Sequence, residues 1–135
     1  MTEEQKKQIA EIAKNHKLAL LALFGSYATG YTHKRSDVDV GFISEREIDF
    51  RENYEICEKL APIFHNHDID FVNLNNISPD IKKQVADQGI LLYADSHAIF
   101  ELFKIHANRI YLETKPLRIY RDRRLKDIIK SYARN

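Results

Sequence analysis

Cysteine, proline and glycine are all scarce in this chain, at one, three and four of 135 residues. A single cysteine, Cys57, excludes an internal disulfide framework and suits a reducing compartment. So little Gly and Pro, beside 44% hydrophobic and 30% charged residues, excludes a disordered or low-complexity segment. No apolar run approaches the roughly 20 residues of a membrane span. The opening MTEEQKKQ is polar, unlike a secretory leader, so the expected location is the cytoplasm. Repeats and linkers are also lacking, and the length is that of one ordinary domain.

The charge that is present is unevenly placed. Residues 1–103 hold 11 Lys/Arg against 17 Asp/Glu, net −6, while residues 104–135 hold 10 against 3, net +7. Opposed halves point to an acidic counterpart for the basic end: a partner protein, RNA, or the chain's own acidic body. A merely solvated helix face is the plainer alternative.

Hydrophobic period supplies the elements. Residues 3–16 place Ile9, Ile12 and Ala13 on one side of an amphipathic helix. LALLALF, residues 18–24, is a seven-residue apolar run ended by glycine, the pattern of a strand buried on both faces. Residues 37–43 alternate like a strand with one polar and one apolar face, and residues 67–74, HDIDFVNL, repeat that alternation. A helix is expected over 46–64, with Ile48, Tyr54, Ile56, Cys57 and Leu60 inward and Cys57 a structural thiol. Ser78-Pro79-Asp80 reads as a helix start and Gly89 as its stop, followed by ILLY as an edge strand. From Ala98 the pattern is helical, with Ile99, Phe100, Leu102, Phe103, Ala107, Ile110 and Tyr111 forming one face; Pro116 is expected to end or kink it before a basic helical stretch over 117–132. The sum is one α/β (α+β) domain with a small sheet and a helical C-terminal region.

The chemistry concentrates in GSYATGYTHKRSDVDVGF, residues 25–42. A buried strand that ends in Gly-Ser and turns into a short helix aims backbone N–H groups at one spot, which attracts phosphate. Gly25 permits close backbone approach and the Ser26 hydroxyl adds a donor. Asp37 and Asp39, two apart on a strand, leave the same face. Paired carboxylates repel unless solvent, arginine or a divalent cation relieves them, and hard oxygen ligands suit Mg2+. A third acid on an adjacent strand allows a two-metal site, with Asp70 the candidate, although Asp68 shares its face and spacing does not choose between them.

Gly25-Ser26, ten residues, Asp37-Val38-Asp39 and then Asp70 in a later strand resemble the nucleotidyltransferase superfamily of the DNA polymerase beta type. The chain looks most like its minimal nucleotidyltransferase (MNT) group, which includes the MntA antitoxins paired with HEPN-domain ribonuclease toxins. The likeness runs from the first helix through LFGSYATG, SDVDVGFI and DIDFVNL to IKKQVADQGILLY. It implies a small mixed sheet flanked by helices, a catalytic core over 1–95 and a basic helical extension of the same domain over 96–135. It further implies that Gly25 and Ser26 bind the β and γ phosphates of ATP and that Asp37, Asp39 and Asp70 hold Mg2+, two ions in this family, with Asp70 also favouring deprotonation of the acceptor hydroxyl. The implied activity is transfer of AMP to a tyrosine of a cognate HEPN toxin, which silences it. Arg118, Arg121, Arg123, Arg124 and Lys126 would then offer a docking surface for that partner, or for RNA.

Other features carry less. His65 and His67 in HNHD lack a second ligand cluster and read as a polar loop. His33, Lys34 and Arg35 lie between the motif halves, where a cation would meet triphosphate or simply solvent, and Tyr27 packs either on a base or on the domain surface. Phe100, Phe103 and Tyr111 recur at helical spacing, as core or interface residues do.

Overall fold

A computed structural model describes residues 1–30 and 36–133. The helix α1 (Glu3–Asn15) starts in a capping box in which Thr2 and Gln5 exchange side-chain-to-backbone bonds of 3.1 and 3.0 Å. Strand β1 (Leu18–Phe24) leads into the one-turn α2 (Ser26–Thr29), and β2 (Val38–Ser44) follows. Then come α3 (Phe50–Phe64), β3 (Ile69–Asn73), α4 (Pro79–Gln88), β4 (Ile90–Ala94), α5 (His97–Glu113) and α6 (Lys115–Ala133).

The four strands form one mixed sheet in the order β3-β2-β1-β4. β1 is antiparallel to both neighbours and β2 is parallel to β3. Because side chains alternate across a strand, β1 feeds two cores. Leu18, Leu21 and Leu23 join Ile9, Ile12, Ile56 and Leu60 on the α1/α3 side; Leu20, Ala22 and Phe24 join Val85, Phe100, Phe103 and Ala107 on the α4/α5 side. The sequence expectation of a strand buried on both faces is met.

β2 departs from expectation. Its acidic face is polar only at one end, because Gly41 lies against Leu74 and Ile43 packs into the second core. α3 begins four residues later than expected, since the Asp49 carboxylate accepts from Glu52 N (2.8 Å) and caps the helix there. Of that helix's expected inward residues, Tyr54 is exposed. α4 starts as read, with Ser78 as cap and Pro79 in the first turn. α5 stops at Thr114, and Pro116 falls in the first turn of α6, where a missing N–H costs nothing. Of the apolar face expected on α5, Phe100, Phe103 and Ala107 are buried and Ile99, Ile110 and Tyr111 half-buried, while Leu102 stays 63% exposed. α6 buries no residue. Among the described residues no helix is long and apolar enough to cross a membrane.

Candidate active site

Register brings the acids together. In the parallel pair, Val38 faces Ile69, Asp39 faces Asp70 and Val40 faces Phe71, beginning with a Val38 N–H to Asp68 O bond of 2.9 Å. Burial enforces this register. Val38, Val40 and Phe42 of β2 and Phe71 of β3 fill the first core, and the Phe42 and Phe71 rings stack at 4.4 Å, so a slip by one residue would bury a row of carboxylates. Asp39 and Asp70 therefore leave the opposite face side by side, with Asp68 two residues before Asp70 at the start of β3.

The Gly-Ser turn closes on the same point. Phe24, the last residue of β1, faces Asp39 across the antiparallel pair. Gly25 then takes φ +69°, in the left-handed region, and a Cβ there would overlap Asp39 Oδ2. Glycine at 25 is thus required twice, by conformation and by space. α2 opens at Ser26 and is closed by Gly30, whose N–H bonds Ser26 O at 2.9 Å with φ +83°. Within α2 the Ala28 and Thr29 amides bond Gly25 O at 3.1 and 3.2 Å, while the Ser26 and Tyr27 amides precede the first turn's bonds, the position at which backbone N–H groups meet an anion.

Electrostatics follow from this packing. Asp39 is half-buried, whereas Asp37 and Asp70 are exposed. Burial, then the charges of Asp70 and Asp37, hold the Asp39 carboxyl above its ordinary value. A cation in this cluster would reverse that balance. Among the described residues no three His, Cys, Asp or Glu side chains are gathered into a ready metal cage. Mg2+ asks for none: it takes one or two carboxylates and completes its shell with water and substrate phosphates. The donor set present, aspartate oxygens beside a turn built for close backbone approach, fits such an ion.

Several residues weighed from sequence find other places. His33, Lys34 and Arg35 lie outside the described residues. Tyr27 packs against the first core, and its hydroxyl accepts from Asn66 Nδ2 at 2.9 Å, so it serves the scaffold rather than a base. Cys57 is a half-buried thiol 3.6 Å from Asn53 Oδ1 and 3.7 Å from Ile69 O, and burial pushes it up. His67 lines a shallow cleft with Tyr54 and Cys57. Arg118 turns inward, stacked 3.6 Å over the Tyr111 ring and 3.8 Å from Asp80, so it is less free for a partner than Arg123 or Arg124. Sequence reading passed over Asn66, whose only signal is an asparagine in the turn before HDID. A cleft of about 620 Å³ lined by Lys14, Lys17, Arg46, Tyr93 and Asp95 sits at the Leu18 end of β1, away from the acids at the Phe24 end.

Comparison with known proteins follows the same pattern. The family described as "Polymerase beta, Nucleotidyltransferase" matches residues 7–98. Protein adenylyltransferase MntA of Shewanella oneidensis (strain MR-1) is 34% identical over 95 residues, covering 70% of this chain and 67% of that protein. A crystal structure of a toxin-antitoxin with AMP-PNP superposes with a TM-score of 0.72 at 28% identity, over 92% of this chain and 98% of that one. A tri-AMPylated Shewanella oneidensis HEPN toxin in complex with MNT antitoxin gives 0.70 at 26% identity, over 96% and 99%.

Proposed function

Because the chain belongs to the polymerase beta nucleotidyltransferase family, we propose that it is an Mg2+-dependent protein adenylyltransferase, the antitoxin of a HEPN/MNT pair, which transfers AMP from ATP to a tyrosine of its cognate HEPN ribonuclease toxin. The observation that carries this is the meeting of Gly25 with Asp39 and of Asp39 with Asp70, three segments of chain converging on one carboxylate.

Each group has a role its position suits. Gly25 and the opening amides of α2 hold the β and γ phosphates, with the Ser26 hydroxyl as a further donor. Asp37, Asp39 and Asp70 would hold Mg2+, which supplies charge to stabilise the transferring phosphoryl group and the departing pyrophosphate. Asp70, exposed at the edge of the pair, faces the arriving acceptor and draws the proton from its hydroxyl. The tyrosyl oxygen forms a bond to the α-phosphorus as the bond to the bridging oxygen breaks in line, and pyrophosphate leaves. Asp37 and Asp70 are exposed beside the half-buried Asp39, which leaves room for an acceptor carried on another protein.

The test is intact-mass analysis of the toxin after incubation with this protein, ATP and Mg2+. Mass increments of AMP on the toxin, absent with the Asp37→Asn/Asp39→Asn variant, are expected. A toxin that is neutralised equally by both proteins without gaining mass would replace catalysis with blocking by binding.

A further inference from the structure

We propose that Asn66 is a positioning residue for nucleotidyl transfer, whose single side chain sets the Gly25-Ser26 turn, the entry to Asp37 and the entry to Asp70 in one fixed relation. This rests on the transferase reading above.

Asn66 lies in the turn between α3 and β3, just after His65, which closes α3 in the left-handed conformation at φ +53°. Its Oδ1 accepts from Asp68 N at 2.8 Å. Its Nδ2 donates to Ser36 O at 2.8 Å and to Tyr27 Oη at 2.9 Å. A backbone N–H only donates and a backbone carbonyl only accepts, so the partners leave one orientation of the amide. Both Nδ2 protons are then committed.

The far end of each bond is close to a group the reaction uses. Tyr27 follows Ser26, and its ring is packed against the first core, so holding its hydroxyl holds α2. Ser36 is buried and precedes Asp37. Asp68 stands two residues before Asp70, and its carbonyl accepts the Val38 N–H that begins the parallel ladder. The ladder fixes β2 against β3 along the strands; Asn66 fixes their starting ends and pulls α2 onto them. Serine or threonine has one proton to give, and aspartate has none when ionised, so neither replaces the three bonds. Asn66 bonds none of Gly25, Asp37, Asp39 or Asp70, so its action is through placement.

The experiment uses the full chain with its toxin, ATP and Mg2+, and compares wild type with Asn66→Asp, Asn66→Ala and Tyr27→Phe. Asn66→Asp keeps size and the acceptor for Asp68 N, and the Tyr27 hydroxyl can turn its proton toward it, so the change falls on the Ser36 carbonyl, which meets a carboxylate oxygen in place of the Asn66 N–H. Expected are a fall in kcat of about 10- to 100-fold for both Asn66 variants, KM for ATP within about 3-fold and Tm within a few degrees. Tyr27→Phe should lose less, and combined with Asn66→Ala should lose no more than Asn66→Ala alone, since the two share one bond. Amide hydrogen exchange on the nucleotide-free protein gives a readout apart from turnover: Asn66→Ala, but not Asn66→Asp, should release the Asp68 amide. Wild-type turnover in both Asn66 variants overturns the proposal, as does a kcat loss that only tracks the folded fraction. If Asn66→Ala does not fold, unchanged kcat in Asn66→Asp and Tyr27→Phe overturns it equally. A wild-type protein that transfers nothing overturns the transferase reading and this role with it.

Discussion

At the scale of the residue, the two positive-φ glycines flanking α2 separate conformation from chemistry. A Cβ at Gly30 meets nothing within 4 Å, whereas one at Gly25 meets the Asp39 carboxylate. Gly30→Ala should cost about 1 kcal/mol of stability and leave transfer nearly intact. Gly25→Ala should cut transfer on the order of 100-fold, because the turn and the acid cannot both keep their places; thermal melts beside AMP-transfer assays check the contrast. Asp39 makes a complementary case. Its raised carboxyl means that the folded protein is favoured below the ordinary carboxylate range and loses that advantage as pH rises through the raised value. Asp39→Asn removes the repulsion, so without added metal at neutral pH it should melt no lower than wild type while transfer falls on the order of 1000-fold or more. A variant that melts well below wild type would show instead that the carboxylate supports the fold. Glu52 runs the other way. The Arg46 guanidinium, then the His16 ring, hold it at about 2, below its ordinary 4.5. Arg46 Nη1 lies 2.8 Å from Glu52 Oε1, and His16 Nδ1 lies 2.8 Å from Glu52 Oε2. That stability is present above about pH 4.5 and lost as pH falls toward 2. Glu52→Gln should therefore flatten the fall in Tm over that window, because glutamine has no charge to lose.

At the scale of the element, the apolar-faced α5 and the basic α6 differ in what they carry. Phe100, Phe103 and Ala107 make α5 part of the second core, while α6 buries nothing and is tied back mainly where Arg118 meets Tyr111 and Asp80. Removing residues 115–135 should then lower Tm by only a few degrees, on the scale of one cation–π contact of about 1 kcal/mol. The same truncation should weaken capture of the toxin, since Leu125, Ile128, Ile129 and Tyr132 of α6 are all exposed; pull-down alongside calorimetry measures both effects. A collapse of the fold would mean that α6 covers more than the contacts at its first turns indicate.

At the scale of the whole molecule, the acidic body and the basic tail carry opposed charge. Asp37, Asp39 and Asp70 sit in the part with net charge −6, and α6 in the part with +7. Complex formation through α6 should weaken as salt rises from about 0.05 to 0.5 M, on the order of 10-fold in Kd, because exposed charges are screened beyond a few ångströms. Titrations at several salt concentrations measure the slope, and a Kd indifferent to salt would assign docking to the apolar side chains instead.

The sequence by itself determined the elements and the kind of chemistry. Apolar runs, alternation and caps are local, so β1, β2, α4 and the Ser78-Pro79 start were legible from periodicity and turn residues, as was the pairing of a Gly-Ser turn with Asp37 and Asp39. Only the tertiary structure decided what depends on residues far apart in the chain. Strand register set Asp70 beside Asp39, packing pressed Gly25 onto Asp39, and Asn66 bonded Tyr27 and Ser36 from 39 and 30 positions away in sequence. The physical reason is that register and close approach are set by which side chains share a core, and neither leaves a period in the sequence.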